Sequence, residues 1–261
     1  MPPARGREMP GQLRICAITD PGLKRSGNED SFEWWPRNPE EADQRGILLL
    51  VCDGMGGAQA GERASHLAVE TIVRVWREAP PGDPVSAIRT AFEAANTAVN
   101  DESRADPSRR GMGTTGTAVV IIGSDLVVAH VGDSRAYLAD GASLTQLTAD
   151  HSLVAHLVER GQITPEEARV DPRRNVVTRS IGVTPQIEVD VTEHTGALTP
   201  GSTVLLCSDG LHGVVSDEEI GEHLALPDVA DVGARLIDHA NRMGGPDNIT
   251  ALLARRIANG S

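Results

Sequence analysis

The sequence predicts an α+β fold in which antiparallel sheets are covered by helices. Apolar runs of strand length are grouped together and lie apart from pairs of amphipathic helical patterns, as expected of sheet layers with helices outside them. The strand-like runs are 13–19, 47–52, 117–122, 126–131, 134–139, 187–191, 203–207 and 249–257. Glycine and proline are spread along the 261 residues and no repeat is present, so a single domain is expected.

The amino-terminal part of the chain begins with a stretch rich in Pro, Gly and Arg. We interpret residues 1–12 as a flexible tail and 258–261 as a second tail, which leaves 13–257 as the domain. The first predicted strand, 13–19, is followed by turn residues and then by a polar segment that leads to the strand 47–52. We expect these two strands to form a hairpin with a long loop.

Helical patterns occupy the middle and the end of the chain. Apolar residues recur at helical spacing over 64–76, 85–99 and 232–240. Residues 147–182 are polar and helical, and they contain a capping box that starts at Thr164 and has proline at the next position. A second capping box starts at Ser216 and predicts another short helix.

Charge and composition argue against several classes of partner. The net charge of −13 repels polyanions, so DNA and RNA are not expected as partners. The sequence has no signal peptide and no apolar run long enough to cross a membrane, so we expect a cytoplasmic protein with no membrane partner. The three cysteines lie in apolar, strand-like segments and are odd in number, so we interpret them as buried thiols and not as a disulfide framework. A zinc site is the alternative, and the cysteine and histidine spacing does not support it.

Four aspartates stand where an apolar run stops and a turn begins. They are Asp53, Asp133, Asp209 and Asp247. Any one of them is explained by the ordinary preference of aspartate for turns. Carboxylates that come from distant parts of the sequence and meet at the rim of a sheet would repel one another unless cations neutralised them. Because carboxylate oxygens suit Mg²⁺ and Mn²⁺, the set predicts a cluster of divalent ions and metal-assisted hydrolysis.

A polar loop near the amino terminus adds a cationic group. Arg25 is followed by Asn28, Glu29 and Asp30. This loop could contain only a surface salt bridge, which contributes little to stability. Alternatively, Arg25 binds a phosphate bidentately while Glu29 and Asp30 hold metal-bound waters. His151, His156 and His212 are weaker candidates for the same site.

Six segments in this order resemble the motif series of the metal-dependent protein phosphatases of type 2C, in their bacterial serine/threonine form. They are Arg25-Ser26-Gly27-Asn28-Glu29-Asp30-Ser31, Asp53-Gly54-Met55-Gly56-Gly57, Gly113-Thr114-Thr115, Gly132-Asp133-Ser134-Arg135, Cys207-Ser208-Asp209-Gly210 and Gly245-Pro246-Asp247-Asn248. The resemblance covers 13–257. It implies a four-layer αββα sandwich, in which two antiparallel sheets are flanked by antiparallel helix pairs and residues 147–182 form a helical flap.

The resemblance also implies a role for each site residue. Asp53 would bridge two Mn²⁺ or Mg²⁺ ions, the carbonyl of Gly54 would bind one of them, and Asp209 and Asp247 would bind the other. Arg25 would bind the substrate phosphate. Asp133, together with Asp209, would bind a third and weaker ion. Glu29, Asp30 and Asn248 would surround the ligands and hold them or the metal-bound waters in place.

The expected activity is hydrolysis of phosphoserine and phosphothreonine in proteins by a hydroxide that bridges two metal ions, in opposition to bacterial serine/threonine kinases. The partners would be these kinases and their phosphorylated substrates. One alternative is a pseudophosphatase that binds phosphoproteins without turnover. Another is a metal-dependent nuclease, which an acidic chain with few aromatic residues does not favour.

Two positions depart from the pattern of the family. Some relatives carry histidine directly after the first Asp-Gly pair, as a candidate general acid, whereas this chain has Met55, which cannot donate a proton. Because Met55 cannot serve, a metal-bound water is expected to protonate the leaving group. The second departure is Gly27, which stands where asparagine is common and would loosen the loop that carries Arg25.

Overall fold

The structure, a computed structural model, describes residues 4–9, 13–37, 42 and 45–257. Its strands are β1 Ala4–Met9, β2 Leu13–Asp20, β3 Asp30–Trp35, β4 Ile47–Met55, β5 Gly113–Thr114, β6 Gly116–Ile122, β7 Asp125–Val131, β8 Arg135–Asp140, β9 Ser143–Gln146, β10 Asp190–His194, β11 Thr203–Cys207 and β12 Ile249–Arg256. Its helices are α1 Ala58–Glu78, α2 Pro84–Ala105, α3 Leu153–Glu159, α4 Pro165–Val170, α5 Asp209–His212, α6 Asp217–Leu224 and α7 Val229–Arg242, with a 3₁₀ helix at Pro107–Arg109.

The strands form two antiparallel sheets that pack face to face. The order is β1-β2-β12-β11-β8-β9 in the first sheet and β10-β7-β6-β4-β3 in the second, where β5 also pairs with β4. Helices α1 and α2 cover the outer face of the second sheet, and α6 and α7 cover the outer face of the first. The predicted α+β class and the four-layer αββα sandwich are confirmed.

Strand β4 shows why the central strands are apolar along their whole length. Leu49 and Val51 belong to the core between the two sheets, whereas Leu48, Leu50 and Cys52 belong to the core beneath α1 and α2. Successive side chains of a strand point to opposite faces of the sheet. A strand that is covered on both faces therefore needs an uninterrupted apolar sequence, and in β4 the first polar residue, Asp53, marks the point where full burial ends.

The expected hairpin between 13–19 and 47–52 is wrong. Strand β2 pairs with β1 and β12 in the first sheet, whereas β4 pairs with β3 and β6 in the second. Strand β3 was not predicted, because it lies at a sheet edge and mixes polar with aromatic residues. Of its side chains, Phe32 and Trp34 pack against the core between the sheets.

Part of the segment that the sequence indicated as a flexible tail is a strand. Because β1 pairs antiparallel with β2, the tail interpretation is wrong for these residues. Residues 1–3, 10–12 and the tail 258–261 lie outside the described residues. The strand predicted at 187–191 begins three residues later, as β10, and pairs with β7.

Residues 147–182, called the flap below, contain α3 and α4, in agreement with a helical insertion. Both predicted capping boxes are present, at Thr164 and Ser216, where the hydroxyl accepts a bond from the backbone N–H three residues on and the glutamate there accepts one in return. A bridge between Thr114 and Ile181 ties the end of the flap to β5. Across the described residues, no helix is long and apolar enough to cross a membrane.

The three cysteines are buried and not disulfide-bonded, as predicted. Burial raises the pKa of Cys16 to about 11 and that of Cys207 to about 12, and it raises the pKa of Cys52 as well. A thiol that stays protonated at neutral pH is a poor nucleophile and a poor metal ligand. These residues therefore serve packing.

Candidate metal centre

The predicted aspartates meet at one end of the sandwich. Asp30 and Asp53 lie opposite each other in the β3–β4 pair. Asp209 begins α5 and is separated from the end of β11 by Ser208 alone, and Asp133 lies in the turn between β7 and β8. Asp247 precedes β12 by one residue. Strands of both sheets, including the edge strand β3, thus deliver carboxylates from across the sequence to a single rim.

The carboxyl groups of the cluster raise one another's pKa values. Burial raises the pKa of Asp53, and the negative charges of Asp30, Asp209, Asp133 and Asp247 raise it further. Burial also raises the pKa of Asp30 to about 7, that of Asp133 to about 8 and that of Asp209 to about 6. The negative charges of other acidic residues of the centre raise the pKa of each of these three carboxyl groups further.

Two carboxylate oxygens in the centre lack partners. Oδ1 of Asp30 and Oδ1 of Asp209 are buried and accept no hydrogen bond from the described residues. A buried acceptor without a partner is costly, and two of them beside other carboxylates point to a cation that the surrounding side chains do not supply. The donor set therefore fits hard divalent ions, which take oxygen ligands.

The carboxylates do not form a closed cage of protein ligands. Among the residues that the structure describes, no group of three His, Cys, Asp or Glu side chains is arranged to hold a metal ion by itself. Mg²⁺ keeps several of its waters and takes only one or two carboxylates from a protein, so a hydrated ion does not require such a group. The centre could hold ions whose remaining ligands are water.

Arg25 lies at the rim of this centre. Its guanidinium donates to Oδ2 of Asp247 at 2.7 Å, and this hydrogen bond is the main reason why the pKa of Arg25 is raised. The guanidinium side chain is 49% exposed, so the pair is open to an incoming anion. The structure thus places Arg25 beside the carboxylate cluster, as the sequence predicted.

Asn248 holds the loop that carries Arg25. Its Nδ2 donates to the carbonyls of Pro21 at 3.0 Å and Gly27 at 2.8 Å, and its Oδ1 accepts from the N–H of Glu29 at 2.8 Å. These three bonds fix both ends of the loop to the start of β12. The looseness expected from Gly27 is offset at this point, because Asn248 binds the carbonyl of that residue.

Asp30 is held by two hydroxyls. Its Oδ2 accepts from Ser208, just after β11, at 2.7 Å and from Thr250, in β12, at 2.6 Å. Asp30 thus connects the two sheets behind the cluster. Burial also raises the pKa of the preceding residue, Glu29.

Two threonines position Asp53, and the sequence assigned them no role beyond the Gly-Thr-Thr motif. Oγ1 of Thr115 accepts from the N–H of Asp53 at 2.9 Å, and Oγ1 of Thr114 donates to its carbonyl at 2.8 Å. Gly54 follows, and a side chain there would meet the carbonyl of Gly61 at 2.2 Å. The backbone at this strand end therefore accepts glycine alone without rearrangement.

Of the weaker histidine candidates, two lie near the centre. Nε2 of His212 lies 2.9 Å from the carbonyl of Asp133, to which it donates. His151 contacts Gly132, the residue before Asp133, through both its backbone and its ring. His156 instead lies on α3, 3.7 Å from Glu159, and is half-exposed. The sequence carried no pattern that distinguished these three.

The comparisons agree with this arrangement. The model of the protein phosphatase 2C family matches residues 24–249. The chain is 41% identical over 242 residues to the serine/threonine protein phosphatase PstP of Mycobacterium tuberculosis, covering 93% of this chain and 45% of that protein, so it spans about half the length of that relative. It is 39% identical over 249 residues to the serine/threonine phosphatase stp of Listeria monocytogenes, covering 91% of this chain and 94% of that protein.

Solved structures show the same likeness. The crystal structure of the M. tuberculosis phosphatase PstP/Ppp has a TM-score of 0.84 at 40% identity, covering 95% of this chain and all of that chain. The catalytic domain of PstP in complex with two manganese ions has a TM-score of 0.82 at 39% identity, covering 95% of this chain and 99% of that chain. On the family match, these identities and the shared fold, the chain belongs to the protein phosphatase 2C family.

Proposed function

We propose that this chain is a metal-dependent phosphatase that hydrolyses phosphoserine and phosphothreonine in proteins. The observation that carries the proposal is the convergence of Asp53, Asp209 and Asp247 beside Arg25, with buried carboxylate oxygens that lack partners. Relatives in Mycobacterium and Listeria bear the name of serine/threonine phosphatases, which supports the same activity.

The proposal gives each residue of the centre a role. Asp53 would be a ligand of both of two Mn²⁺ or Mg²⁺ ions, the carbonyl of Gly54 would bind one of them, and Asp209 and Asp247 would bind the other. Asp133 binds a third, weaker ion. Support comes from the donor set, from the raised pKa values in the cluster, and from the two manganese ions in the PstP catalytic domain. When bound, such an ion pair supplies a water of lowered pKa as the nucleophile.

The chain's own groups bind and orient the substrate. The guanidinium of Arg25 is oriented by Asp247 and binds oxygens of the phosphate. Thr114 and Thr115 hold the backbone on either side of the Asp53 Cα, so that the carboxylate does not move when charge shifts in the transition state. Since Met55 cannot donate a proton, water protonates the leaving serine or threonine oxygen.

The proposed partners are cytoplasmic phosphoproteins, including serine/threonine kinases and their substrates. A half-exposed Arg25 at an open rim suits a phosphorylated side chain that projects from a protein surface. The alternative of a pseudophosphatase gains no support, because every carboxylate that the family pattern requires is present at the rim.

Hydrolysis of para-nitrophenyl phosphate and of a phosphothreonine peptide tests the proposal. We expect turnover of both with Mn²⁺ or Mg²⁺, loss of turnover in EDTA, and a loss of at least a hundredfold in Asp209→Asn, whose amide cannot carry the ligand charge. If the wild-type chain binds the phosphopeptide but shows no metal-dependent turnover, the enzyme proposal fails and the binding protein is the better description.

A further inference from the structure

A cleft of about 700 Å³ leads away from the carboxylate cluster. Arg25, Asp209 and Asp247 line one end of it. The other end lies between the flap helices, α3 and α4, and the turn that joins α5 to α6. This volume falls within the range of ligand sites of roughly 300–1,000 Å³, which is far more than one phosphate fills. A phosphate bound at Arg25 would therefore leave most of the cleft to the chain that carries it.

Beyond the carboxylate cluster, the walls of the cleft combine apolar side chains with acidic ones, and three of these acids hold the fold. Asp150 accepts a bidentate pair of bonds from Arg135, at 2.9 and 2.7 Å. Asp217 accepts from the hydroxyl of Tyr137 at 3.1 Å and lies 3.7 Å from Arg135. Glu219 closes the capping box of α6. These three acidic side chains are thus engaged in holding the fold, whereas Glu159, on the flap side of the cleft, is exposed and lies 3.7 Å from His156.

Two arginines on the flap side are not engaged in this way. Arg169, in α4, and Arg174, just after it, line the cleft. Within the described ranges, neither guanidinium has a hydrogen-bond or ion-pair partner. The pKa of Glu166 is lowered mainly by hydrogen bonds at the start of α4, and burial opposes this shift. The positive charge of Arg169 lowers this pKa as well, but it is the smallest of the causes. Both positive charges are therefore available to a ligand.

The neighbouring residues explain why Arg174 is presented to the cleft. Arg173 donates to both carboxylate oxygens of Asp171, at 2.9 and 2.8 Å, and the N–H of Arg173 donates to the same carboxylate at 2.8 Å. This pair closes the turn after α4. Arg174 is the next residue, so its side chain leaves a turn that is already held in place, at the cleft face.

We propose that this cleft binds the polypeptide next to the phosphorylated residue, and that Arg169 and Arg174 bind an anionic group on that polypeptide. The proposal rests on the proposed function and names its substrate class: phosphoproteins in which a second phosphate or a carboxylate side chain lies close to the target residue. Apolar residues such as Val154, Val158 and Val215 contact the intervening side chains. Guanidinium groups bind both kinds of anion through paired, charge-assisted hydrogen bonds.

The test compares kcat/KM for three phosphothreonine peptides of one length in saturating Mn²⁺. One has neutral flanks, one carries glutamates, and one carries a second phosphothreonine. The rate for para-nitrophenyl phosphate, which has no polypeptide to reach the flap, is the reference in every variant. We expect the wild type to favour an acidic peptide over the neutral one by about five- to tenfold, through KM, with a smaller preference in high salt.

The Arg169→Gln/Arg174→Gln double variant should remove this preference. Arg160→Gln is the matched control, because Arg160 is an exposed flap arginine that does not line the cleft, and it should keep the preference. The proposal is overturned if the wild type shows no preference, if the control loses it equally, or if the double variant retains it. Whether the glutamate or the second phosphate gives the larger effect identifies the natural anion.

A binding measurement separates failure of this inference from failure of the proposed function. If the wild type hydrolyses none of the substrates, the phosphatase proposal fails, and fluorescence polarisation of the same peptides then tests the cleft. Tighter binding of an acidic peptide by the wild type than by the double variant would support the subsite. Equal binding would refute it. Urea unfolding midpoints matching the wild type show that both variants are folded.

Discussion

His151 contacts Gly132 in two ways. Its backbone N–H donates to the carbonyl of Gly132 at 2.7 Å, and its ring Nδ1 accepts from the N–H of Gly132 at 3.0 Å. A neutral imidazole that accepts at Nδ1 carries its proton on Nε2, which therefore donates to Asp190 at 3.1 Å. Gly132 precedes Asp133, so the first part of the flap holds the turn that carries this carboxylate.

Substitutions at His151 should separate these two contacts. Asparagine places its oxygen near the position of Nδ1 and keeps an acceptor for Gly132, whereas glutamine reaches the position of Nε2 and loses that acceptor. We expect His151→Gln to lower the free energy of unfolding by about 1–3 kcal/mol because a backbone N–H is left unsatisfied, and His151→Asn to lower it less. Urea unfolding in EDTA measures both. A larger loss in the asparagine variant would show that the contact with Asp190 matters more.

The metal-free protein should lose stability as the pH rises, and Asp30 should contribute to this loss. Burial raises its pKa to about 7, above the value of about 3.9 in an unfolded chain, so the folded state binds more protons between these values. Its contribution is therefore complete below about pH 4 and is lost as the pH rises through about 7.

The variant Asp30→Asn isolates that contribution. In EDTA, the free energy of unfolding of the wild type should fall more steeply between pH 5 and 7 than that of the variant, by at most about 1.4 kcal/mol per pH unit. Urea titrations at several pH values measure the two slopes. Because the other groups with shifted pKa values are present in both proteins, the difference between the slopes reports on Asp30. Parallel slopes would show that Asp30 is ionised in the folded protein throughout this range.

The variant Arg25→Ala should raise KM for phosphopeptides with a smaller effect on kcat. The guanidinium contacts phosphate oxygens that are present in both the bound substrate and the transition state, so its loss weakens both. Steady-state kinetics in saturating Mn²⁺ measure the split. Arg37→Ala is a control, because Arg37 is an equally exposed arginine that stacks on Trp34 away from the cleft. An unchanged KM in Arg25→Ala would remove this residue from the phosphate site.

The variant Asp133→Ala should lose one weak metal site and keep the two tighter ones. Asp133 is attached to the β7–β8 turn, and a Cβ at the adjacent Gly132 would meet Thr115 at 2.6 Å, so this turn is closely packed and should hold its shape in the variant. Calorimetric titration of Mn²⁺ counts the sites without reference to activity. A titration indistinguishable from that of the wild type would exclude Asp133 as a ligand.

Much of the fold was predictable because burial and helix capping leave patterns within short stretches of the sequence. The uninterrupted apolar run in β4 follows from burial on both faces, and the capping boxes at Thr164 and Ser216 satisfy the first N–H groups of their helices in the way their spacing predicts. Asp53, Asp133 and Asp209 were identified for the same reason, since each follows an apolar run, whereas Asp247 lies in a turn before β12. Edge strand β3 was missed because exposure of one side weakens its apolar pattern.

By itself, the sequence determined the secondary structure of the covered strands, the class of the fold and the identity of the carboxylates. Only the tertiary structure decided which sheet each strand joins and which groups surround each acid. Thr250, which donates to Asp30, lies 220 residues away from it, and Asn248 lies 219 residues from the Glu29 N–H that it accepts. Periodicity records which face of an element is buried, but pairing and pKa depend on neighbours that only folding brings together.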